Sequence, residues 1–349
     1  MPGRVVIFGW SESVHIQRWV AGLSDRGWQI RLISLGGSQL PQSETICLPR
    51  RGRLSYLTQR PNAVELARQF EPDLVHVHYA GGFGWWGLKC DFAPLLVSAW
   101  GSDITGVETN PLRRMWLRRL FRKCTGISVT SQFLREAASA LAVDRIDKIE
   151  VIPFGVNVPE SVTPLPPTPI RLCFIKRHRP IYGPDILLRA LAILRRELPE
   201  IRLTLAGEGE MTPRLRAMCA ELGLEANVDF VGFVPNDRIY SLLSEHHMMV
   251  MPSLSESFGV AVLEAAACGR PTIASRVGGV PEVLRDGETG LLVPPGDPRV
   301  LADAILRLAR DPETCQRMGQ AGRKLAAEYS WSASLDRMND LYERLIHGQ

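Results

Sequence analysis

Residues 248–269 read MMVMPSLSESFGVAVLEAAACG. The apolar run Met248–Met251 has the length of a buried strand. A polar loop follows, carrying Ser253, Ser255, Glu256 and Ser257. The stretch Phe258–Cys268 then has a helical pattern, closed by Gly269. Strand, polar loop and helix in this order make a βα unit, the building block of a parallel sheet covered on both faces. Gly259 at the helix start permits close backbone approach, and the free N–H groups and dipole of a helix N-terminus favour an anion. Two carboxylates beside an anion site are badly placed unless they accept hydrogen bonds from hydroxyls, as those of sugars and ribose would offer. Read locally, Glu256 and Glu264 are either such acceptors or a capping and a solvated glutamate.

The same rhythm extends in both directions. Towards the C-terminus, Thr272–Ala274 reads as a strand, and Pro298–Arg310 and Thr314–Glu328 read as helices. Upstream, Ile170–Ile175, Ile201–Ala206 and Val228–Phe233 read as strands, with helices over Pro184–Leu198 and Thr212–Leu222. Before these lies PESVTPLPPTP (159–169), whose five prolines suit neither a helix nor an inner strand. Further upstream, strands are expected at Arg4–Phe8, Trp28–Leu35, Leu74–His78, Leu95–Ala99, Gly126–Thr130 and Ile149–Ile152, with a helix over Val14–Arg26 ended by Gly27. The expectation is an α/β protein of two Rossmann-like, doubly wound domains facing a central cleft. Residues 1–160 form the first, 161–169 the linker and 170–328 the second, while 329–349 form a C-terminal helix returning to the first. Ligands of such sheets bind beyond the carboxyl ends of the strands, which makes the crevice between the domains the default site.

Composition narrows the class. The chain has 349 residues, 45% hydrophobic and 22% charged, the balance of a globular protein large enough for two cores. Residues 1–165 carry 19 basic and 14 acidic side chains, and the remainder 22 and 23, so the basic excess belongs to the N-terminal half. Seven scattered cysteines without a CxxC pair argue against a disulfide framework or a zinc site. The opening MPGRVVIFGW is too short in apolar residues for a signal peptide, and no run approaches a membrane span. A cytoplasmic protein is expected, with peripheral contact to the inner face of a membrane as an option.

Several motifs in order resemble family 4 of the retaining glycosyltransferases, of the GT-B fold and the type found in bacterial cell-surface polysaccharide and glycolipid synthesis. Glu256 and Glu264 match its E-x7-E signature, with SFG after the first glutamate. Gly207-Glu208-Gly209, Val231–Pro235 (VGFVP) and Val277–Asp297 (VGGVPEVLRDGETGLLVPPGD) continue the match. The resemblance covers the C-terminal domain and, more weakly, the N-terminal one. It implies that Glu256 meets hydroxyls of a donor sugar and Glu264 the nucleotide ribose. Backbone N–H groups near Phe258, Gly259 and Val260 would face the sugar or diphosphate, and Gly232, Phe233 and Val234 would line the base.

In FIKRHRPIYG (174–183), basic side chains follow a strand and can neutralise a departing diphosphate. Arg177 matches the family arginine, but Tyr182 stands where the family has lysine, and Lys176 and Arg179 are the two candidates to replace it. In the N-domain, Gly9, Ser11 and Ser13 occupy a loop that the resemblance places near the diphosphate, without the usual glycine pair. His78 matches the histidine beside the reacting sugar. His76 and His78 alternate along a strand and are expected to point to opposite faces, unable to share a metal. His15 reads either as an acceptor contact or as core packing. Gly101-Ser102-Asp103 resembles the family's HGxD region with Trp100 at the histidine position. Asp103 and Trp100 are then acceptor candidates, with a turn-forming aspartate as the other reading.

PLRRMWLRRLFRKC (111–124) separates basic from apolar side chains at helical spacing. Arg113, Arg114, Arg118 and Arg122 with Trp116 and Phe121 suit an anionic membrane surface. Packing of the apolar face on the N-domain sheet is the alternative. No nucleic-acid recognition motif accompanies the charge. The reading is retaining transfer of a sugar from a UDP- or GDP-sugar to an acceptor glycan or lipid-linked glycan. No cofactor and no metal are expected. The rivals are another GT-B sugar-nucleotide enzyme, such as an epimerase, and a silent sugar-nucleotide-binding or scaffold protein.

Overall fold

The computed structural model describes residues 3–52, 54–107, 109–142 and 146–348. They divide into two compact units, one of residues up to Phe154 together with the segment from Trp331 on, and one of Gly155–Ser330.

The first unit holds strands β1 (Arg4–Phe8), β2 (Gln29–Leu35), β3 (Glu44–Leu48), β4 (Leu74–His78), β5 (Leu95–Ala99), β6 (Gly126–Val129) and β7 (Ile149–Val151). Their order is β3-β2-β1-β4-β5-β6-β7, with every pairing parallel. The second unit holds β8 (Arg171–Ile175), β9 (Arg202–Ala206), β10 (Val228–Gly232), β11 (Met248–Met251), β12 (Thr272–Ser275) and β13 (Gly290–Val293) in the parallel order β10-β9-β8-β11-β12-β13. Each sheet is doubly wound. Strand order reverses between β1 and β4 in one and between β8 and β11 in the other, and the crevice at such a switch point is where ligands bind.

The inner strands β4, β5, β11 and β12 are buried along their whole length, as strands covered on both faces must be. Helix starts are marked by caps: Asn110, Ser131, Asp297 and Asp311 each accept from a backbone N–H of the first turn. Gly223 and Gly269 end helices in the left-handed conformation, which a side chain would resist.

The proline-rich stretch belongs to the second unit. The buried guanidinium of Arg270 holds its middle, donating to the carbonyls of Thr163 and Pro164 and to the Thr163 hydroxyl. The helix Trp331–His347 belongs to the first unit. There Trp331 packs edge-on against Trp19, Trp28 donates to Asn339, and Arg26 pairs with Asp336. Among the described residues, eight strands and α-helices escape the periodicity: β3, β13, and the helices Ser55–Thr58, Arg60–Gln69, Gly84–Gly87, Gln132–Leu141, Ile239–Ser244 and Val280–Val283. β3 and β13 are five and four residues long, too short to show a period against their neighbours. No helix among the described residues is long and apolar enough to cross a membrane.

Candidate functional site

The second unit brings basic and acidic groups together at its switch point. β8 ends at Ile175 and delivers Lys176 and Arg177 to the carboxyl edge of the sheet. β11 ends at Met251, and the loop behind it delivers Glu256. The Lys176 ammonium donates to Glu256 Oε2, so the pair spans the point where strand order reverses. Both side chains are mostly buried, and Glu256 also accepts from the Ser257 N–H at 3.2 Å. Burial pulls the Lys176 ammonium down. The Glu256 carboxylate, its hydrogen bond, Tyr182 and Glu264 outweigh that effect and hold it above its ordinary value. The charge of Lys176 is therefore retained inside the site.

Tyr182 supports this lysine, with its ring centroid 5.2 Å from the ammonium. Arg179, the other candidate, lies on the exposed side and pairs with Glu210 at 3.8 Å. Glu264 sits on the helix Val260–Ala267, 7% exposed, and accepts from Asn236 at 3.5 Å. Phe258 is buried against Tyr329, so only its backbone can serve a ligand, and Val260 is half-buried. Gly259 has φ 100° at the head of this helix, beside Val283 and Val262.

A cavity of about 510 Å³ opens beside the pair. It is lined by Ile175, Lys176 and Arg177 after β8, Ala206, Gly207 and Glu208 after β9, and Phe233, Val234 and Ile239 beyond β10. That volume suits a small ligand, and the lining mixes apolar walls with a few charges. Gly207 and Gly209 explain themselves here. A side chain on either would strike the backbone of Lys176 or His178, so the loop after β9 can lie against the basic loop only through glycine. Gly232 lies behind the wall and accepts from the Gly207 N–H at 2.7 Å. The sequence marks Glu208 only as part of the Gly207-Glu208-Gly209 match, without a role, and does not single out Ile239. Glu208 lies just past the carboxyl end of β9, and Ile239 opens the helix Ile239–Ser244 that follows β10.

The switch point of the first unit is different. His78 ends β4 with 1% exposure, and among the described residues neither ring nitrogen has a hydrogen-bond partner. Burial pushes its imidazole down to about 3, with a smaller push from His15. The Trp100 ring lies 5.3 Å away, tilted at 60° to it. Tyr79, next in the chain, has φ 74°, a strained value for a tyrosine. His76 and His78 share one face, with ring centroids 3.8 Å apart, correcting the expectation of opposite faces. Side chains alternate with a period of two, so residues i and i+2 stand on the same side. Among the described residues there is no group of three His, Cys, Asp or Glu side chains placed to hold a metal ion.

Asp103 is fully buried. Its carboxylate accepts from the N–H groups of Ala80, Trp100 and Gly101 and so builds the turn beneath Trp100. Burial raises this carboxyl above its usual range against those three donors. Ser11 is likewise structural: its N–H donates to Ser34 and its hydroxyl accepts from the Ser38 N–H. Gly9 lies under Ile16 beside His78, and Ser13 heads its helix without a side-chain cap. His15 stacks on Phe154 at 3.9 Å.

The basic helix Pro111–Lys123 buries Leu117, Leu120 and Phe121. Phe121 is thus core and not surface, because its spacing from Leu117 puts it on the inner stripe. Trp116 stacks on Trp85 at 4.9 Å, and Arg113 donates to the Ser102 carbonyl. Arg118 is half-buried. Leu112 and Met115 stay outside, 73% and 65% exposed, among Arg114, Arg119 and Arg122.

Known proteins agree with this architecture. Residues 160–325 match the model of glycosyl transferases group 1, and residues 4–131 match the glycosyl transferase 4-like model. D-inositol 3-phosphate glycosyltransferase of Mycobacterium avium is 31% identical over 304 residues, which are 78% of this chain and 70% of that protein. The enzyme of the same name from Streptomyces coelicolor is 30% identical over 317 residues, 78% of this chain and 69% of its own. Sucrose-phosphate synthase from Thermosynechococcus elongatus shares the fold with a TM-score of 0.83, 23% identity and coverage of 99% and 100% of the two chains. Anabaena HepE, solved in complex with UDP-glucose, superposes with a TM-score of 0.81 at 19% identity, over 98% and 100% of the chains. The chain belongs to the group 1 glycosyl transferases, a GT-B glycosyltransferase whose first unit is of the glycosyl transferase 4-like type.

Proposed function

We propose that the protein moves a sugar, with retention, from a nucleotide-diphosphate sugar to an acceptor hydroxyl. The observation that carries the reading is the pair Lys176 and Arg177 at the head of a cavity of about 510 Å³, with Glu256 held against Lys176. The nucleotide occupies this cavity, with Glu264 towards the ribose and Phe233 and Val234 beside the base. The bond from the anomeric carbon to the diphosphate breaks, and one to the acceptor oxygen forms. The departing diphosphate takes the acceptor's proton, and its charge is met by Lys176, held in place by Glu256, and by the exposed Arg177 that lines the cavity. Lys176 takes the place of the lysine displaced by Tyr182. Glu256 releases it to the diphosphate on turning to the sugar hydroxyls. These two cations take the place of a metal ion. His78 gains its missing partner from the reacting sugar. HepE, solved in complex with UDP-glucose, supports a UDP-sugar as the first donor to try.

Thermal unfolding with UDP, GDP, UDP-glucose and GDP-mannose, each with and without EDTA, tests this. A donor at a hundred times its Kd adds about 2.7 kcal/mol to stability. One nucleotide sugar should raise Tm in both conditions. No shift with any of them overturns donor binding, and a shift abolished by EDTA overturns the metal-free reading.

The acceptor on this reading is a glycan on an anionic lipid carrier. Leu112 and Met115, exposed among the arginines of Pro111–Lys123, favour contact with a bilayer at the cytoplasmic face. Each basic residue near an anionic surface contributes about 1 kcal/mol. Co-sedimentation with phosphatidylserine vesicles should fall with salt, and should be lost when Arg114, Arg119 and Arg122 become Gln. Equal sedimentation with neutral vesicles, or none at low salt, returns the acceptor to a soluble glycan.

A further inference from the structure

Among the described residues His78 has no hydrogen-bond partner to fix its ring, so packing orients it. The His76 ring lies against it, with centroids 3.8 Å apart. His76, in contrast, is tied at both nitrogens. Its Nδ1 lies 2.6 Å from the Tyr342 hydroxyl and its Nε2 lies 2.6 Å from Ser98 Oγ. Ser98 continues to Ser128 at 2.5 Å, so the chain of bonds crosses from β4 through β5 to β6. All four residues are buried, and Tyr342 is wedged between Trp28 and His76. Tyr342 comes from the helix Trp331–His347, more than 260 residues away in the chain.

We infer that Tyr342 is a positioning residue for His78, acting through His76. A buried polar chain of this kind costs stability unless every member is satisfied, and apolar side chains could fill the same space. Its service is to fix one imidazole in one orientation and one tautomer. The phenol is the stronger donor of the two ends and is held protonated by burial. The chain therefore runs from the Tyr342 O–H to His76 Nδ1, from the Nε2–H to Ser98, and from the Ser98 O–H to Ser128. His76 stays neutral, since burial and the neighbouring His78 both push it far down. A neutral ring pinned at both ends is a flat, fixed floor for His78. It leaves both nitrogens of His78 for a ligand. The catalytic part of this inference rests on the role proposed above for His78; the positional part does not.

Long-range proton–nitrogen spectra of protein carrying 15N-labelled histidine test it. Wild type should show His76 as the neutral Nε2–H tautomer. Tyr342→Phe keeps the ring and removes the hydroxyl. It should give His76 a mixture of tautomers and shift the His78 resonances. UDP-glucose turnover, read as UDP release, should fall about ten-fold, a 1.4 kcal/mol change in barrier, while KM changes less than two-fold. Ser98→Ala, which frees the other nitrogen, should do the same if Tyr342→Phe fails to fold. Ser334→Ala removes a buried hydroxyl from the same helix away from His76, and should leave the spectra and turnover as in wild type. Unmoved His78 resonances in folded Tyr342→Phe or Ser98→Ala protein overturn the inference, as does a Ser334→Ala variant with the same kinetic loss. Full turnover in His78→Ala would sink the proposed role of His78 instead, and the spectra alone then decide the positional claim.

Discussion

The two switch points are built on the same topology and carry opposite chemistry. In each unit, the strand order reverses beside the first strand, and a loop from the fourth strand comes to meet it. In the second unit the meeting is ionic: Lys176 faces Glu256, with Arg177 and Glu264 close by and an open cavity alongside. In the first it is aromatic and neutral. His78 lies beside Trp100 and His76, and Trp10 packs with Tyr56, Tyr79 and Phe83 next to it. Identical backbone geometry thus sets where a ligand can approach, while the residues just past the strand ends set what it can be. A charged edge suits a diphosphate, whose negative charge grows as the sugar leaves. A neutral, water-poor edge suits a sugar hydroxyl, which needs a directional partner and no net charge.

The contrast can be broken most decisively at Arg177. Arg177→Ala removes a cation from the charged edge and should lower turnover about a hundred- to a thousand-fold. A variant within two-fold of wild type in steady-state turnover would mean that the charge at this edge is ornamental.

The glutamates should divide the work unequally. Glu264→Gln should weaken nucleotide binding by calorimetry, and Glu256→Gln should lower turnover with little change in nucleotide affinity. Each effect is about ten- to a hundred-fold, the loss of one charge-assisted hydrogen bond of about 1.5–3 kcal/mol. Lys176→Met should resemble Glu256→Gln, since the two form one pair. If it behaves as wild type while Arg179→Ala loses turnover, Arg179 and not Lys176 replaces the displaced lysine.

The smallest effect concerns the neutral edge and acid. His78 is held near 3 when folded and reverts to its ordinary 6.5 when unfolded. Below 6.5 the unfolded chain binds the proton that the folded chain refuses. Stability is therefore complete above about pH 6.5 and falls as the pH drops towards 3. At pH 5 the loss from this group is about 2 kcal/mol. His247 in the second unit, lowered to about 4 first by burial, adds to it. Denaturant unfolding at pH 7.5 and pH 5 should show the loss, and His78→Phe should reduce it. An unchanged pH dependence in that variant would place the acid sensitivity elsewhere.

The fold was legible because its signals are local. A run such as Val5–Phe8 or Met248–Met251 declares a buried strand, and Gly223 or Gly269 declares a helix end, from a few adjacent residues. The E-x7-E spacing and the basic loop after β8 lie on single loops and helices, so Glu256, Glu264, Lys176 and Arg177 could be picked out in sequence. What they do with one another could not. The pairing of Lys176 with Glu256 joins residues 80 positions apart, and that Lys176 meets Glu256 while Arg179 meets Glu210 depends on which way each side chain leaves one loop.

The basic helix shows the same division. Its period separates charge from apolar surface, but only packing reveals that Phe121 is core and that Leu112 and Met115 are not. Asp103 and Ser11 read equally well as ligand contacts until their backbone donors are seen to occupy them. The longest reach is that of Tyr342 to His76. Sequence alone pointed to two parallel α/β sheets, because periodicity and turn chemistry act over neighbours, and its resemblance to a family pointed to the residues at the charged edge. Tertiary structure alone decided which polar groups are satisfied, covered or left waiting, because burial and hydrogen bonding depend on partners that the chain brings in from far away.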